Sequence, residues 1–362
     1  MSRVAMTGGD GFLGWHTQCA LRESGTDAAD IPVGGFFDET QAAGAIEASS
    51  RFIHLAGVNR GSDDEVETGN VLFAQQVADV IRQVDNPPKT IVYSNSIQAT
   101  LDNVYGRAKA RAADILGAAA SAVGADFLDV RFPNLFGEHG RPFYNAVTAT
   151  FCHLLAEGDQ PTVQVDKELM LLHAQDAADI LIGERSQDNM PDLTVQESVS
   201  GLLRRLTSLA KNYREGEIPD IADRFDRNLF NTYRSYLVTQ PIILKQQADR
   251  RGGFVEMIRN QGGPGQSSFS TTRPGIVRGN HFHRRKVERF VVVSGQARIT
   301  LRKLLTDKVM VFDVDGESPI AIDMPTMWAH NITNIGLNTL FTVFWANDLF
   351  DPNRPDTIPE VV

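Results

Sequence analysis

Cysteine is almost missing: the 362 residues hold two, Cys19 and Cys152, far apart and without CxxC spacing. That excludes a disulfide framework and a paired-cysteine redox motif, and makes a reducing compartment the expectation. Long apolar runs are missing too, since nothing approaches the roughly eighteen uninterrupted apolar residues that cross a bilayer. The N-terminus, MSRVAMTGG, lacks the apolar core and cleavage site of a signal peptide, so the chain is read as cytoplasmic. Positive charge is in deficit as well. There are 35 Lys and Arg against 45 Asp and Glu, a net charge of −10. This speaks against nucleic acid or an anionic membrane as partner, while leaving room for a local site for a diphosphate. With 42% hydrophobic and 22% charged residues the chain is a folded soluble protein, not a disordered one. At roughly 150 residues per core, its length predicts two domains.

What is present is a pattern that changes once along the chain. RVAMTG (3–8), RFIHLAG (51–57), KTIVYS (89–94) and ADFLDVRF (125–132) read as strands. FLGWHTQCALRE (12–23), NVLFAQQVADVIRQV (70–84) and VYGRAKARAADILGAAASA (104–122) read as helices between them. Strands alternating with helices give βαβ units, a parallel sheet and a doubly wound α/β fold. Residues 195–240 are helical and charged. From about Asp249 onward, short β-branched and aromatic runs are split by Gly and Pro, the pattern of an all-β sandwich or barrel. The expected domains are therefore 1–243 and 244–362.

In the first domain Gly8, Gly11 and Gly14 form a G-x-x-G-x-x-G turn between a strand and a helix. Such glycines let the backbone bend tightly and approach a pyrophosphate, which then sits at the positive end of the helix. Gly8, Gly11, Phe12, Leu13 and Gly14 are the candidate cofactor-binding turn. Tyr105 and Lys109 lie four apart on a predicted helix, hence on one face. Ser94 and Ser96 end the preceding strand. A phenol near pKa 10 is a poor acid–base group at neutral pH, and lowering it by about three units takes about 4 kcal/mol. An ammonium beside it, here Lys109, favours the phenolate. An isolated Y-x-x-x-K would be a chance pair on a solvated face, but here three features stand in order.

That arrangement resembles the short-chain dehydrogenase/reductases, and HLAG (54–57), RFPNLFG (131–137) and HAQDAAD (173–179) resemble their extended, nucleotide-sugar branch. The resemblance implies that Ala56 and Gly57 line the cofactor and that Pro133 lies by the nicotinamide. It also implies that Ser96 hydrogen-bonds the substrate carbonyl while Tyr105 and Lys109 carry the proton chemistry. After the second strand, VGGFFDET (33–40) offers neither an arginine for a 2′-phosphate nor a well-placed acid, so NADP and NAD both stay open. The family resemblance implies NADPH, which the segment after the second strand does not itself announce.

In the second domain His281 and His283 are i, i+2 and share a strand face, and Glu288 follows. His330 in PTMWAHNITN (325–334) offers a fourth ligand. Imidazoles plus a carboxylate on adjacent strands make a divalent-metal site. These donors do not separate zinc, iron, manganese and nickel; zinc is the expectation. The spacing from Gly275 through H-x-H and Glu288 to Gly295 resembles the first cupin box. P-x-x-x-x-H-x-x-x-N resembles the second, with Met327 where glycine is usual. DRRGGFVEMI (249–258) and RPGIVRGNHFH (273–283) resemble nucleotide-sugar epimerase cupins, which implies that Glu256 and Arg278 line a sugar pocket.

Over its whole length the chain resembles the CapF (WbjC-like) family of bifunctional capsular polysaccharide enzymes. It does so through HLAGVNR, SNSIQATLDNVYGRAK, RFPNLFG, VRGNHFH, FVVVSG and LFDPNRPDT. The SIQAT turn sets Tyr105 only nine residues after Ser96. This resemblance implies a Rossmann-like reductase domain fused to a cupin (double-stranded β-helix) barrel, in a homodimer. The barrel would epimerise C3 of UDP-2-acetamido-2,6-dideoxy-4-hexulose, and the reductase would reduce C4 to the L-talose sugar with NAD(P)H. Arg60, Asn134 and Asn145 are substrate candidates on resemblance alone. Two other readings stand beside it: a reductase of another nucleotide sugar with a structural cupin, and a nucleotide-sugar-binding regulator, against which the intact Tyr105 and Lys109 speak.

Overall fold

The structure, a computed structural model, describes residues 3–237, 241–250 and 252–362. By its contacts the chain forms two compact units, Met1–Phe136 with Leu169–Gln196, and Gly137–Glu168 with Glu197–Val362.

In the first unit, β1 (Arg3–Thr7), α1 (Phe12–Glu23), β2 (Asp27–Ile31), α2 (Glu39–Glu47), β3 (Arg51–His54), α3 (Asp63–Gln83), β4 (Thr90–Ser96), α4 (Val104–Val123) and β5 (Asp126–Phe132) alternate as expected. The strands form a parallel sheet in the order β2-β1-β3-β4-β5. Neighbouring residues on a strand point to opposite faces, so each strand fills two cores. Ala5, Phe52 and Ile91 pack with α3 and α4 on one face. Val4, Met6, Ile53 and Val92 pack on the other with α1 and with α6 (Ala174–Ile182). Helix α3 starts seven residues before the apolar pattern that announced it. Ser62 and Glu65 form a reciprocal capping box there, and Asp63 and Asp64 complete an acidic first turn. The short strands β6 (Asn134–Phe136) and β7 (Glu168–His173) pair in parallel at the end of this unit, which also holds α7 (Met190–Leu193) and the start of β8 (Val195–Ser198).

The second unit combines α5 (Val147–Glu157), α8 (Val199–Arg214) and α9 (Arg224–Arg234) with the strand-rich segment from β9 (Ile242–Ile243) onward. Side-chain bonds explain why those helices cluster with strands rather than with the parallel sheet. Tyr213 of α8 donates to Asp323, the fully buried Arg289 forms a bidentate pair with Asp323 at 2.8 and 3.0 Å, and Arg234 of α9 donates to the Met324 carbonyl at 2.9 Å.

After the hairpin of β10 (Gln246–Asp249) and β11 (Gly252–Val255) come β12 (Gln266–Thr272), β13 (Val277–Phe282), β14 (Glu288–Ser294), β15 (Gln296–Lys303), β16 (Val309–Asp315), β17 (Ile320–Met324), β18 (Trp328–Asn334), β19 (Leu340–Ala346) and β20 (Ile358–Pro359). They make two antiparallel sheets, β12-β19-β14-β17-β9 and β16-β15-β18-β13-β20. The inward residues of both, among them Val292, Ala297, Ile299, Leu301, Ile322, Met324, Trp328 and Ile332, form one core. This is the cupin-like barrel.

Candidate functional site

In the sheet order β2-β1-β3-β4-β5 the chain changes direction of winding between β1 and β3, and ligands of such sheets bind in the crevice outside the carboxyl ends at that point. The glycine turn leaves β1 there. Gly8 has φ +75°, and a Cβ on it would fall 2.7 Å from the Ala56 nitrogen; a Cβ on Gly14 would collide with the Gly8 carbonyl oxygen. The turn is therefore as tight as glycine permits. The first turn of α1 has no acidic residue and its N-cap, Gly11, makes no side-chain capping bond, so its N–H groups suit a pyrophosphate. Across the crevice, the Thr7 hydroxyl and His54 Nδ1 are 2.8 Å apart, and Thr7 Oγ1 accepts from the Ala56 N–H at 3.2 Å. These bonds fix Ala56 and Gly57 against Gly8. Asn70, which lies inside α3 rather than opening it, donates to the Val58 and Val66 carbonyls, each at 2.7 Å, and holds the loop after Gly57. The residues fit a dinucleotide.

One residue of this crevice was missed in the sequence. Strand β2 ends at Ile31, so VGGFFDET lies beyond it, and the acid sought there is Asp30, inside the strand. Its carboxylate accepts from the Gly9 N–H at 3.0 Å. The signal was the spacing: Asp30 follows the glycine turn by about 20 residues, as in dinucleotide-binding folds.

Ser96 ends β4, and Tyr105 lies in the first turn of α4, one residue after Val104 opens it. The segment Ile97–Thr100 is a single 3₁₀ turn, and a Cβ on Gly106 would collide with the carbonyl oxygens of Gln98 and Leu101. Glycine after the tyrosine thus lets the helix close onto the short connection, which is how nine residues suffice to bring Tyr105 back to Ser96. The Ser96 hydroxyl stands close enough to the Tyr105 phenol to stabilise its ionised form. Burial pushes the half-buried Tyr105 phenol up, and Ser96 only partly offsets this. Lys109 is buried and its pKa falls to about 7 through burial, against an upward pull from Asp129. Its Nζ donates to the Ser94 carbonyl at 2.8 Å and stands 4.2 Å from the Tyr93 ring centre. The expected lowering of the tyrosine by Lys109 is therefore not what this arrangement shows.

In the barrel, His281 on β13 is the register partner of His330 on β18, and Glu288 opens β14 of the other sheet. His283 lies one residue beyond β13. One donor atom from each of the four residues lies within 4.8 Å of the others. The His283 and Glu288 side chains are 2.8 Å apart, and His330 Nε2 is buried with no hydrogen-bond partner. Burial lowers His281 to about 4 and His330 to about 3, so both are neutral and ready to ligate at pH 7. Burial raises Glu288, but His283, His330 and Lys286 outweigh it and hold the carboxyl at about 2. Neutral imidazoles around a carboxylate fit a divalent metal. The tail supplies support the sequence did not announce. Asp356 accepts from the N–H groups of Arg284, Arg285 and Lys286 at 3.0, 2.9 and 2.7 Å, and its own carbonyl lies 2.5 Å from His283 Nδ1.

The other predicted residues are less engaged. Pro133 is half-buried between β5 and β6, and Asn134 beside it donates to the Met170 carbonyl at 3.2 Å. Arg60 is exposed in the loop after β3, and Asn145 is exposed ahead of α5 in the second unit. Arg278 is exposed on β13, while Glu256 pairs with Arg259 at 2.6 Å on the surface. Among the described residues no helix is long and apolar enough to cross a membrane.

Residues 247–358 match the polysaccharide biosynthesis C-terminal domain family. The chain is 32% identical to the UDP-2-acetamido-2,6-beta-L-arabino-hexul-4-ose reductase of Pseudomonas aeruginosa, over 98% of this chain and 97% of that one. Among solved structures it is similar to the capsular polysaccharide assembling protein CapF from Staphylococcus aureus, with 32% identity and a TM-score of 0.62, covering 99% of this chain and all of that one. A UDP-glucose 4-epimerase from Thermotoga maritima, 14% identical with a TM-score of 0.51 over 65% of this chain and 98% of its own, shares the fold alone.

Proposed function

The chain belongs to the family of that hexulose reductase and of CapF, and from this premise we propose that it converts a UDP-2-acetamido-2,6-dideoxy-4-hexulose in two steps, C3 epimerisation in the barrel and C4 reduction in the α/β domain, to the L-talose sugar. The observation that carries the reading is that one chain holds both Ser96 beside Tyr105, with Lys109 on the same helix, and the buried cluster of three histidines and Glu288.

A hydrogen on C3 is acidic because it is α to the C4 carbonyl, so a base and a stabiliser of the developing oxyanion suffice to invert it. His281, His283, Glu288 and His330 would hold a divalent ion, zinc fitting this donor set, and such an ion supplies Lewis-acid stabilisation of that oxygen. For reduction, Gly8, Gly11, Phe12, Leu13, Gly14, Ala56, Gly57 and Pro133 would seat a nicotinamide dinucleotide, which supplies the hydride. Tyr105 would give its proton to the C4 oxygen, the Ser96 hydroxyl would orient that oxygen, and the buried Lys109 would hold the nicotinamide ribose. Reduction removes the carbonyl, so C3 can no longer invert. Arg60, Asn134 and Asn145 are the proposed sugar-nucleotide contacts.

The test is incubation with the 4-keto sugar in deuterated water, with and without reduced nucleotide. Deuterium should enter C3 without nucleotide, and the talose product should form with it. Tyr105→Phe should slow reduction by about 10²–10⁴-fold while leaving C3 exchange intact. His281→Ala or chelation should abolish exchange. Exchange that survives metal removal would reduce the cluster to a structural role, and undiminished reduction by Tyr105→Phe would remove the tyrosine from the mechanism.

A further inference from the structure

We propose that Asp129 is the counter-ion of Lys109: its carboxylate keeps the buried ammonium charged, and Lys109 needs that charge to assist reduction at C4. The inference rests on the reductase reading above and adds a positioning residue that lies outside the Tyr105–Lys109 motif.

Residues i, i+2 on a strand share a face, so Tyr93 and Asn95 of β4 stand on the side that α4 covers, where Tyr93 is part of the core. In the parallel register Asp129 of β5 is the partner of Tyr93, and Arg131 that of Asn95. Asp129 therefore lies beside Tyr93, and Lys109 Nζ stands over the Tyr93 ring, 4.2 Å from its centre. The carboxylate is held on both oxygens. Oδ1 accepts from Asn95 Nδ2 at 2.6 Å, and Oδ2 accepts from Arg131 Nε at 2.9 Å. Asn95 is buried, and its own Oδ1 accepts from the Ser96 N–H at 2.8 Å. A chain of bonds thus runs from Asp129 to the backbone of the serine beside Tyr105.

The other groups around Lys109 do little for its charge. Its Nζ is buried and donates to a neutral acceptor, the Ser94 carbonyl, at 2.8 Å. From β3 comes His54, which burial holds at about 3 and so neutral, and from β4 comes Tyr93, whose phenol burial pushes up. Tyr105 stands one turn earlier on α4, and α3 adds Ala74 and Val77 to the same core. Burial favours a neutral amine here; Asp129 is the anion that opposes it, and together they leave Lys109 at about 7. Without the carboxylate, the ammonium would lose its proton at lower pH. A neutral amine still donates to a ribose hydroxyl, but it gives no positive field to the oxygen that gains charge at C4 as hydride arrives.

Carbon-13 at lysine Cε reads this charge by NMR without turnover, because the chain has eight lysines and Lys109→Arg assigns the signal. In the full-length chain the Lys109 midpoint should lie near 7. In Asp129→Asn, which keeps an acceptor for Asn95, it should fall by about one pH unit or more. The alkaline limb of kcat for reduction of the 4-keto sugar should move down with it, and Asp129→Glu should restore the wild-type limb. A purely structural role would lower kcat at every pH and move neither limb nor midpoint. Equal midpoints in wild type and Asp129→Asn overturn the counter-ion. Should that variant not fold, a wild-type midpoint below about 6 overturns it, since the lysine would then behave as one buried without a partner. A shifted midpoint with an unmoved limb overturns the part of this charge in reduction. Shifted midpoints in a chain that never reduces the sugar keep the counter-ion and overturn the reductase reading instead.

Discussion

Single residues here have roles set by what faces them. Met327 stands where related barrels carry glycine, and the structure gives the reason for glycine: its φ is +59°, while its side chain is fully buried and its N–H donates to the His283 carbonyl at 2.7 Å. A buried methionine there keeps packing at the cost of backbone strain of about 1–2 kcal/mol. Asp356 has the larger consequence. Its carboxylate bonds three successive N–H groups of the loop between His283 and Glu288, and its carbonyl orients His283. Such outer-sphere partners are worth about 10–100-fold in metal affinity. Asp356→Ala should therefore weaken binding of zinc by that factor in a chelator competition. Asp351→Ala, an exposed neighbour in the same tail, should leave it unchanged. Equal affinities in all three proteins would show that the tail does not support the site. The four clustered residues were legible because H-x-H, Glu288 and His330 carry their spacing in the sequence. Asp356 was not, because its partners lie some seventy residues upstream and only the return of β20 onto β13 brings them together.

At the level of elements, β13 is the one that builds the histidine–glutamate cluster, and it is not a regular strand. Its register on β18 shifts between Gly279 and His281, with Gly279 at φ +105° and Asn280 at φ +57°. A Cβ on Gly279 would fall 2.7 Å from the His330 oxygen and 2.9 Å from the Asn331 Cα. The bulge turns His281 toward His330, and glycine is what permits the approach. Gly279→Ala should lower stability by about 2–3 kcal/mol in urea unfolding, from positive φ and a backbone clash together. Gly275→Ala, at φ +75° with open space around it, should cost about 1 kcal/mol. Equal losses would mean that close packing at Gly279 contributes nothing. The alternation of period-two and period-3.6 patterns foretold most elements within a few residues. It missed the start of α3, because a capping box rather than an apolar residue sets it. It missed the bulge, because a glycine in a strand pattern does not say which backbone it must approach.

The whole molecule adds a dependence on pH that no element shows alone. His54 is buried between Phe52 and Tyr93, with Lys109 and Thr7 beside it, and burial followed by the charge of Lys109 lowers its pKa to about 3. Unfolded, it takes up a proton near the ordinary imidazole value of 6.5. Between those values the unfolded chain binds more protons than the folded one, so stability must fall as pH falls through that window. His54→Asn should flatten the slope of unfolding free energy between about pH 4 and 6 by about one proton, or about 1.4 kcal/mol per pH unit. Parallel slopes for variant and wild type would assign the proton elsewhere. Taken by itself, the sequence determined the alternation of strands and helices, the glycine turn, the Tyr105–Lys109 face and the spacing of His281, His283, Glu288 and His330, because side-chain period and short spacings are local properties of the chain. Only the tertiary structure decided that Asp30 stands against Gly9, that Lys109 rests on Ser94 and Tyr93 rather than on the Tyr105 phenol, and that Asp356 clamps the loop between His283 and Glu288. Those contacts depend on which distant strands become neighbours and on which groups lose their water, and neither is written in any one segment.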